Sequence, residues 1–338
     1  MSIPTGDAKP TQATDTSDSA AASANPNAHE AAARLADDAE GARLLAELGV
    51  SGEAGGASAT TQQDEQADPE HITAHAFMKY FLELQGMTLD EARLPPLALA
   101  TFQGRSFEEL LDLITLDETD ETTLAEPAEV APDGSQPARR KKRHPFLPLE
   151  LGRAGEKAVV VTRLRVGAPA AVTDLEELIA LGVRDILVVG VAGSLQPALP
   201  IGSLVIPTGA IREEGTSFHY VPAGEDVAPD PTFTQALVDA CAAINAPVAT
   251  GPVWTTDAPY RELQSKVQAY GAAGALAVEM EASALFAAAA ARGVRVGLIM
   301  AISDELFHPW RPGYHMNELF VGQRLASRAA VLAAQSLG

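Results

Sequence analysis

From residue 97 onward, short apolar runs alternate with amphipathic stretches. Apolar, β-branched runs at 97–101, 158–162, 186–189, 203–207, 247–254, 276–278 and 296–302 predict strands. Segments 71–85, 106–114, 174–181, 231–244, 261–270, 282–292 and 322–336 predict helices. On the first helix, Phe77, Tyr80, Phe81 and Leu84 are expected to pack on the main body. This alternation predicts one α/β domain of three layers, with a mixed, largely parallel central sheet flanked by helices. Ligands of such sheets gather at the carboxyl ends of strands. Four segments start there: 102–105, 190–194, 279–281 and 303–305. The second, Gly190-Val191-Ala192-Gly193-Ser194, reads as a glycine-rich turn with exposed backbone N–H groups suited to an anion.

Residues 1–69 carry no such pattern. They are rich in Ala, Ser, Thr, Asp, Gln and Gly, and thirteen acidic residues stand against three basic ones between Met1 and Glu70. That composition predicts a disordered acidic tail, because it buries too little apolar surface to offset the entropy of ordering. The domain then runs over 70–338. Within it, 117–138 reads as a mobile acidic insertion, followed by the basic cluster 139–143, a solvated surface or a subunit contact. The net charge of −21 argues against nucleic acid and anionic membranes as partners. No basic-then-apolar leader opens the chain and no apolar run is long enough to span a bilayer, so a cytoplasmic location is expected. The single cysteine, Cys241, excludes a disulfide framework, and the histidines show no ligand spacing, so no metal is expected.

Two carboxylates bracket a methionine in Glu279-Met280-Glu281, between a strand-like run and an Ala-rich helix. Burying an unpaired carboxylate costs several kcal/mol, on the order of what a paired ligand must return. A sugar with neighbouring hydroxyls would supply such donors, with the thioether against its apolar face; acids in the first turn of a surface helix are the plainer alternative. Asp304, at the end of the strand 296–302, is placed to be partly desolvated and to give a proton near neutrality. It equally suits capping of a short turn.

Taken in order, these segments resemble the nucleoside phosphorylase-I superfamily of uridine phosphorylases, purine nucleoside phosphorylases and methylthioadenosine nucleosidases. The resemblance rests on Gly167-Ala168-Pro169-Ala170, Gly190-Val191-Ala192-Gly193-Ser194, Ile201-Gly202-Ser203-Leu204-Val205-Ile206-Pro207, Val278-Glu279-Met280-Glu281-Ala282 and Ile302-Ser303-Asp304. The segment Gly215-Thr216-Ser217-Phe218-His219-Tyr220 is most similar to the uridine phosphorylase branch. The resemblance implies cleavage of a nucleoside N-glycosidic bond, by phosphorolysis to free base and pentose 1-phosphate. Glu281 would bind the ribose hydroxyls, with Met280 packed on the sugar and Glu279 beside it. Asp304 would protonate the leaving base. Gly190, Val191, Ala192, Gly193, Asp257, Arg261 and His219 would contribute to substrate binding. No cofactor is implied beyond inorganic phosphate as co-substrate, and a homo-oligomer is implied, a dimer or ring of dimers, with Arg143 and His144 as donors to a neighbouring site.

Two departures from the family pattern bear on the nucleophile. Val188 and Val191 stand where phosphorylases of this kind carry an arginine and a threonine that hold phosphate, and valine offers no donor to a dianion. The loop Phe102-Gln103-Gly104-Arg105 is altered as well. Gly104 and Arg105, with Arg163 and Arg165, form an alternative phosphate set. A phosphate-independent nucleosidase and an inactive nucleoside-binding protein are the other readings.

Overall fold

The computed structural model describes residues 70–117 and 143–337. The tail, most of the 117–138 insertion and residues 139–142 lie outside the described residues. The body begins with α1 (Ala74–Glu83), opened by Thr73, whose side chain accepts the N–H of Ala76. This helix buries Met78 and Leu82, one turn apart. Tyr80 and Leu84 are exposed and Phe77 is partly so, while Phe81 packs at the margin of the core. The body is met chiefly by Met78 and Leu82, with Phe81 beside them as expected, whereas Tyr80 and Leu84 face outward instead of packing.

The strands are β1 (Leu97–Thr101), β2 (Thr115–Leu116), β3 (Leu149–Ala154), β4 (Lys157–Arg163), β5 (Asp185–Ser194), β6 (Leu204–Glu213), β7 (Val248–Thr256), β8 (Ala277–Glu279), β9 (Arg295–Glu305) and β10 (Arg311–Pro312). They form one mixed sheet in the order β10-β9-β6-β7-β8-β5-β1-β4-β3-β2. An additional β5–β9 pairing closes β5, β9, β6, β7 and β8 into a ring. The long ladders, β5 with β9 and β6 with β7, are parallel. Antiparallel pairs join β3 to β4 and the short β8 to β5.

The remaining helices are α2 (Gly104–Leu113), α3 (Ala168–Ala180), α4 (Pro231–Ala243), α5 (Gln264–Ala272), α6 (Ala282–Arg292) and α7 (Asn317–Ser336). Helix α7 packs with α2 and α4, whereas α3 packs with α6 and α1, giving two helical groups about the sheet. Local chemistry sets several boundaries. Asp230 caps α4 through the N–H groups of Thr232 and Phe233, with Pro231 in its first turn. Gly293 ends α6 in the left-handed conformation. Helix α6 is buried along almost its whole length, which is why it is Ala-rich rather than amphipathic.

One expected element is different. Residues 190–194 are not a turn but the second half of β5, and their backbone takes part in the ladders with β9 and β8. The glycines serve close approach. A Cβ on Gly190 would come within 3.3 Å of Met300 Cγ, and one on Gly193 would run into Leu306 and reach 3.3 Å from Asp304 Oδ2.

Candidate active site

β5 lies between β8 and β9, and this position assembles the site. Gly193 pairs with Val278 on one side and with Asp304 on the other. The carboxyl ends of the three strands therefore converge on one cavity of about 740 Å³. Its lining includes Glu279, Met280, Glu281, Asp304, Val191, Ala192 and Gly193. The acid–thioether–acid stretch and the strand-end aspartate, far apart in sequence, share this cavity. Gly190 does not line it.

Glu281 stands at the head of α6 with 6 % of its surface exposed. Its Oε1 accepts the N–H of Gly167 at 2.6 Å. Gly167 has φ of +96°, a conformation that L side chains rarely adopt, so a glycine is required where this amide turns toward the acid. Burial raises the proton affinity of Glu281 above that of an ordinary carboxyl, and the nearby Glu279 charge raises it further; the backbone donors of Gly167 and Met280 pull the other way.

Glu279 serves the fold at the same place. Its Oε2 accepts the N–H groups of Glu281 and Ala282, each at 2.7 Å, and its Oε1 takes the Thr255 hydroxyl at 2.5 Å. Thr255 Oγ1 in turn accepts the N–H of Ser283. The acid next to the sugar-binding candidate thus caps helix α6 from the end of β8. Burial raises its proton affinity also, opposed by these three donors.

Asp304 is buried and accepts three side-chain donors: Ser303 Oγ at 2.7 Å, Trp310 Nε1 at 2.9 Å and Tyr314 Oη at 3.3 Å. Trp310 and Tyr314 also line the cavity. Burial and the Asp304 charge push the Tyr314 phenol up to about 12. Glu262, between the 3-10 turn Pro259–Arg261 and α5, lines the same cavity. Burial, and secondarily the Asp304 charge, push Glu262 up to about 7. The lining thus carries four carboxyls, Glu262, Glu279, Glu281 and Asp304, and among the described residues neither lysine nor arginine.

Other sequence candidates lie elsewhere. Asp257 is exposed and accepts the N–H of Gly215, tying the end of β7 to the loop after β6. Arg261 and His219 are exposed and absent from the lining. That loop is held by Arg212, near the end of β6, which donates to Ser217 Oγ and to the carbonyls of Pro222 and Glu225. Arg165 is committed to Asp174 through its backbone N–H and guanidinium. Arg105 stacks on Phe320, 4.0 Å from the ring centre. Arg163 reaches the head of α2, with Nη1 3.4 Å from the position of a Cβ on Gly104. Phe102 and Gln103, just before that helix, line the cavity. Val188 is fully buried in the core, away from the lining. His144 has no free donor for a neighbour: Nδ1 accepts the N–H groups of Phe146 and Leu147, and Nε2 lies 2.7 Å from Glu177 in the interior.

The sequence did not single out Trp310, Tyr314 or Thr255, and Glu262 only as a neighbour of Arg261. They sit on short, irregular segments or at a strand end, where periodicity carries no signal. Among the described residues no group of His, Cys, Asp or Glu suits a metal ion, and no helix is long and apolar enough to cross a membrane.

Comparison with known proteins adds an independent finding. The family model for the phosphorylase superfamily matches residues 114–337. A guanosine phosphorylase from Halorubrum lacusprofundi is 36 % identical over 141 residues, 42 % of this chain and 58 % of the relative. A uridine phosphorylase from Treponema pallidum is 37 % identical over 158 residues, 44 % of this chain and 61 % of the relative. The chain thus spans about three fifths of the length of these curated relatives. The crystal structure of uridine phosphorylase from Vibrio fischeri shares the fold, with a TM-score of 0.60 at 20 % identity, over 72 % of this chain and 94 % of that one.

Proposed function

The chain belongs to the phosphorylase superfamily, and from that premise we propose that it cleaves the N-glycosidic bond of a nucleoside by phosphorolysis. A phosphate oxygen would bond to C1′ of the pentose as the C1′–N bond breaks. The bonding pair leaves with the base, which takes up a proton, and the products are free base and pentose 1-phosphate. The observation that carries this reading is the convergence of Glu281, Met280 and Asp304 on one cavity. Positive charge developing on the pentose would be stabilised by ionised Glu281, which also accepts hydroxyl donors, while Met280 packs on the ring. Asp304, held by Ser303, Trp310 and Tyr314, faces the departing base. Relatives named as guanosine and uridine phosphorylases support the reaction class.

Phosphate would enter at the head of α2, where Gln103 makes no side-chain cap and Arg163 lies against Gly104. Among the described residues the lining carries neither lysine nor arginine, which favours a second reading, in which water replaces phosphate. A homo-oligomer belongs to the proposal as well. Tyr260, Trp310 and Tyr314 at the cavity are more than half exposed, and a neighbouring copy would cover them. A cytoplasmic setting fits a chain with one buried, unpaired cysteine.

Base release from guanosine, inosine, adenosine and uridine, measured with and without inorganic phosphate, tests the proposal. Phosphate-dependent release accompanied by pentose 1-phosphate is expected. Release at the same rate without phosphate would establish the hydrolytic reading in its place.

A further inference from the structure

The first turn of α6 is held by residues from three strands that lie side by side, β6, β7 and β8. Glu279, at the end of β8, takes the N–H groups of Glu281 and Ala282. Thr255, near the end of β7, takes the N–H of Ser283 at 3.0 Å. Glu214, directly after β6, takes the Ser283 hydroxyl on Oε1 at 2.9 Å. Glu214 and Ser283 are both buried, and neither lines the cavity. The same carboxyl accepts the N–H of Ser217, with Oε2 at 2.9 Å, and so joins the loop after β6 to the helix. Desolvation offsets most of what the partners of a buried carboxyl return, so such a group is a weak source of stability. Orientation is what this one supplies.

We propose that Glu214 is a positioning residue for the pentose: through Ser283 Oγ, its carboxyl sets the rotation of α6 at which Glu281 meets the sugar hydroxyls. This rests on the reading of Glu281 as the group that grips the pentose. The tethers of the first turn act in different directions. Backbone N–H groups at a helix start point along the helix axis, so Glu279 and Thr255 fix how far α6 reaches toward the cavity. A side chain leaves the helix sideways, so the bond from Ser283 to Glu214 fixes rotation about that axis. Glu281 stands two residues before Ser283, with Oε1 tied to the N–H of Gly167. A turn of α6 would stretch that contact or swing the second oxygen away from the sugar.

The test uses the full chain and its Glu214→Ala, Glu214→Gln, Ser283→Ala and Glu214→Ala/Ser283→Ala variants, with Glu281→Ala as reference and unfolding temperatures recorded for each. Base release is followed with phosphate for guanosine and uridine, each beside its 2′,3′-dideoxy counterpart. The ratio of kcat/KM for the two sugars reports the grip on the hydroxyls. Glu214→Ala and Ser283→Ala should each lower that ratio by about ten-fold, the scale of a small misplacement of a contact group. The double variant should fall no further than the single ones, because one contact is removed twice. Glu214→Gln keeps an acceptor for the Ser283 hydroxyl and should hold the ratio within about two-fold of the native one. Should Glu214→Ala not fold, Ser283→Ala, which deletes a single oxygen, carries the test. A native ratio in Ser283→Ala overturns the proposal, as do additive losses in the double variant or a lowered unfolding temperature with the ratio intact. Glu281→Ala losing the preference while Ser283→Ala keeps it would remove the positioning role alone. An intact preference in Glu281→Ala, or no base release by the native chain, would remove the pentose reading and the proposal with it.

Discussion

The carboxylate of Glu279 accepts the backbone N–H of Glu281 at 2.7 Å, so the first acid of the Glu-Met-Glu stretch fixes the position of the second. With the N–H of Ala282 and the hydroxyl of Thr255 it forms the closed head of α6. Two adjacent acids thus divide their tasks, one anchoring the backbone and the other facing the cavity. Glu279→Ala leaves two N–H groups and a hydroxyl without their acceptor in the interior. Thermal or urea unfolding should register a loss of about 2 kcal/mol or more.

Glu281 is expected to show the opposite balance between stability and function. Its proton affinity in the fold is raised by burial and by Glu279. A carboxyl so shifted binds its proton more tightly folded than unfolded, so its ionisation favours unfolding as pH rises between the two values. Glu281→Gln removes that charge but keeps an acceptor for Gly167. The variant should be more stable than the native protein by about 1–3 kcal/mol near pH 8, with the difference closing below about pH 5. Melting curves across that range check the sign, and base release should fall steeply in the same variant.

Gly167→Ala isolates the backbone side of this contact. No atom lies within 4 Å of the added Cβ, so the cost comes from φ of +96° rather than from a clash. Roughly 1–2 kcal/mol of stability should be lost. As the chain relaxes, the amide that holds Glu281 moves, and steady-state kinetics should show a higher KM for the nucleoside.

Trp310 is 63 % exposed, yet its indole N–H donates to Asp304. Trp310→Phe keeps most of the ring and deletes that donor. Unfolding temperature should hardly change, while turnover drops by about ten-fold, the scale of one hydrogen bond to a charged group. A loss of stability matching the loss of turnover would make Trp310 a packing residue only.

Legibility in the sequence followed the regular elements. The apolar run at 97–101 and the Ala-rich segment ended by Gly293 coincide with β1 and α6 because strong local preference and burial act together there. β3 (Leu149–Ala154) escaped notice because Glu150, Gly152 and Arg153 interrupt its apolar positions. The glycines at 190 and 193 carry a true signal, close approach, which the sequence alone does not separate from a turn. The three site residues best supported by motif do meet at one cavity. Donors that only spatial neighbours supply, such as Trp310, Tyr314 and Thr255 Oγ1, could not be read from spacing. The same holds for the loss of Arg165 to Asp174, an ion pair set by the turn between β4 and α3.

The most direct test of Glu281 as the group that grips the pentose pairs a deletion in the protein with one in the substrate. Base release would be measured for the native chain and Glu281→Ala, each with a ribonucleoside and its 2′,3′-dideoxy counterpart, in the presence of phosphate. The native protein should favour the ribonucleoside strongly, and in Glu281→Ala the two substrates should fall to similar kcat/KM, because the missing contact is the same one. An equal loss on both substrates, with the preference for ribose intact in the variant, would contradict the assignment.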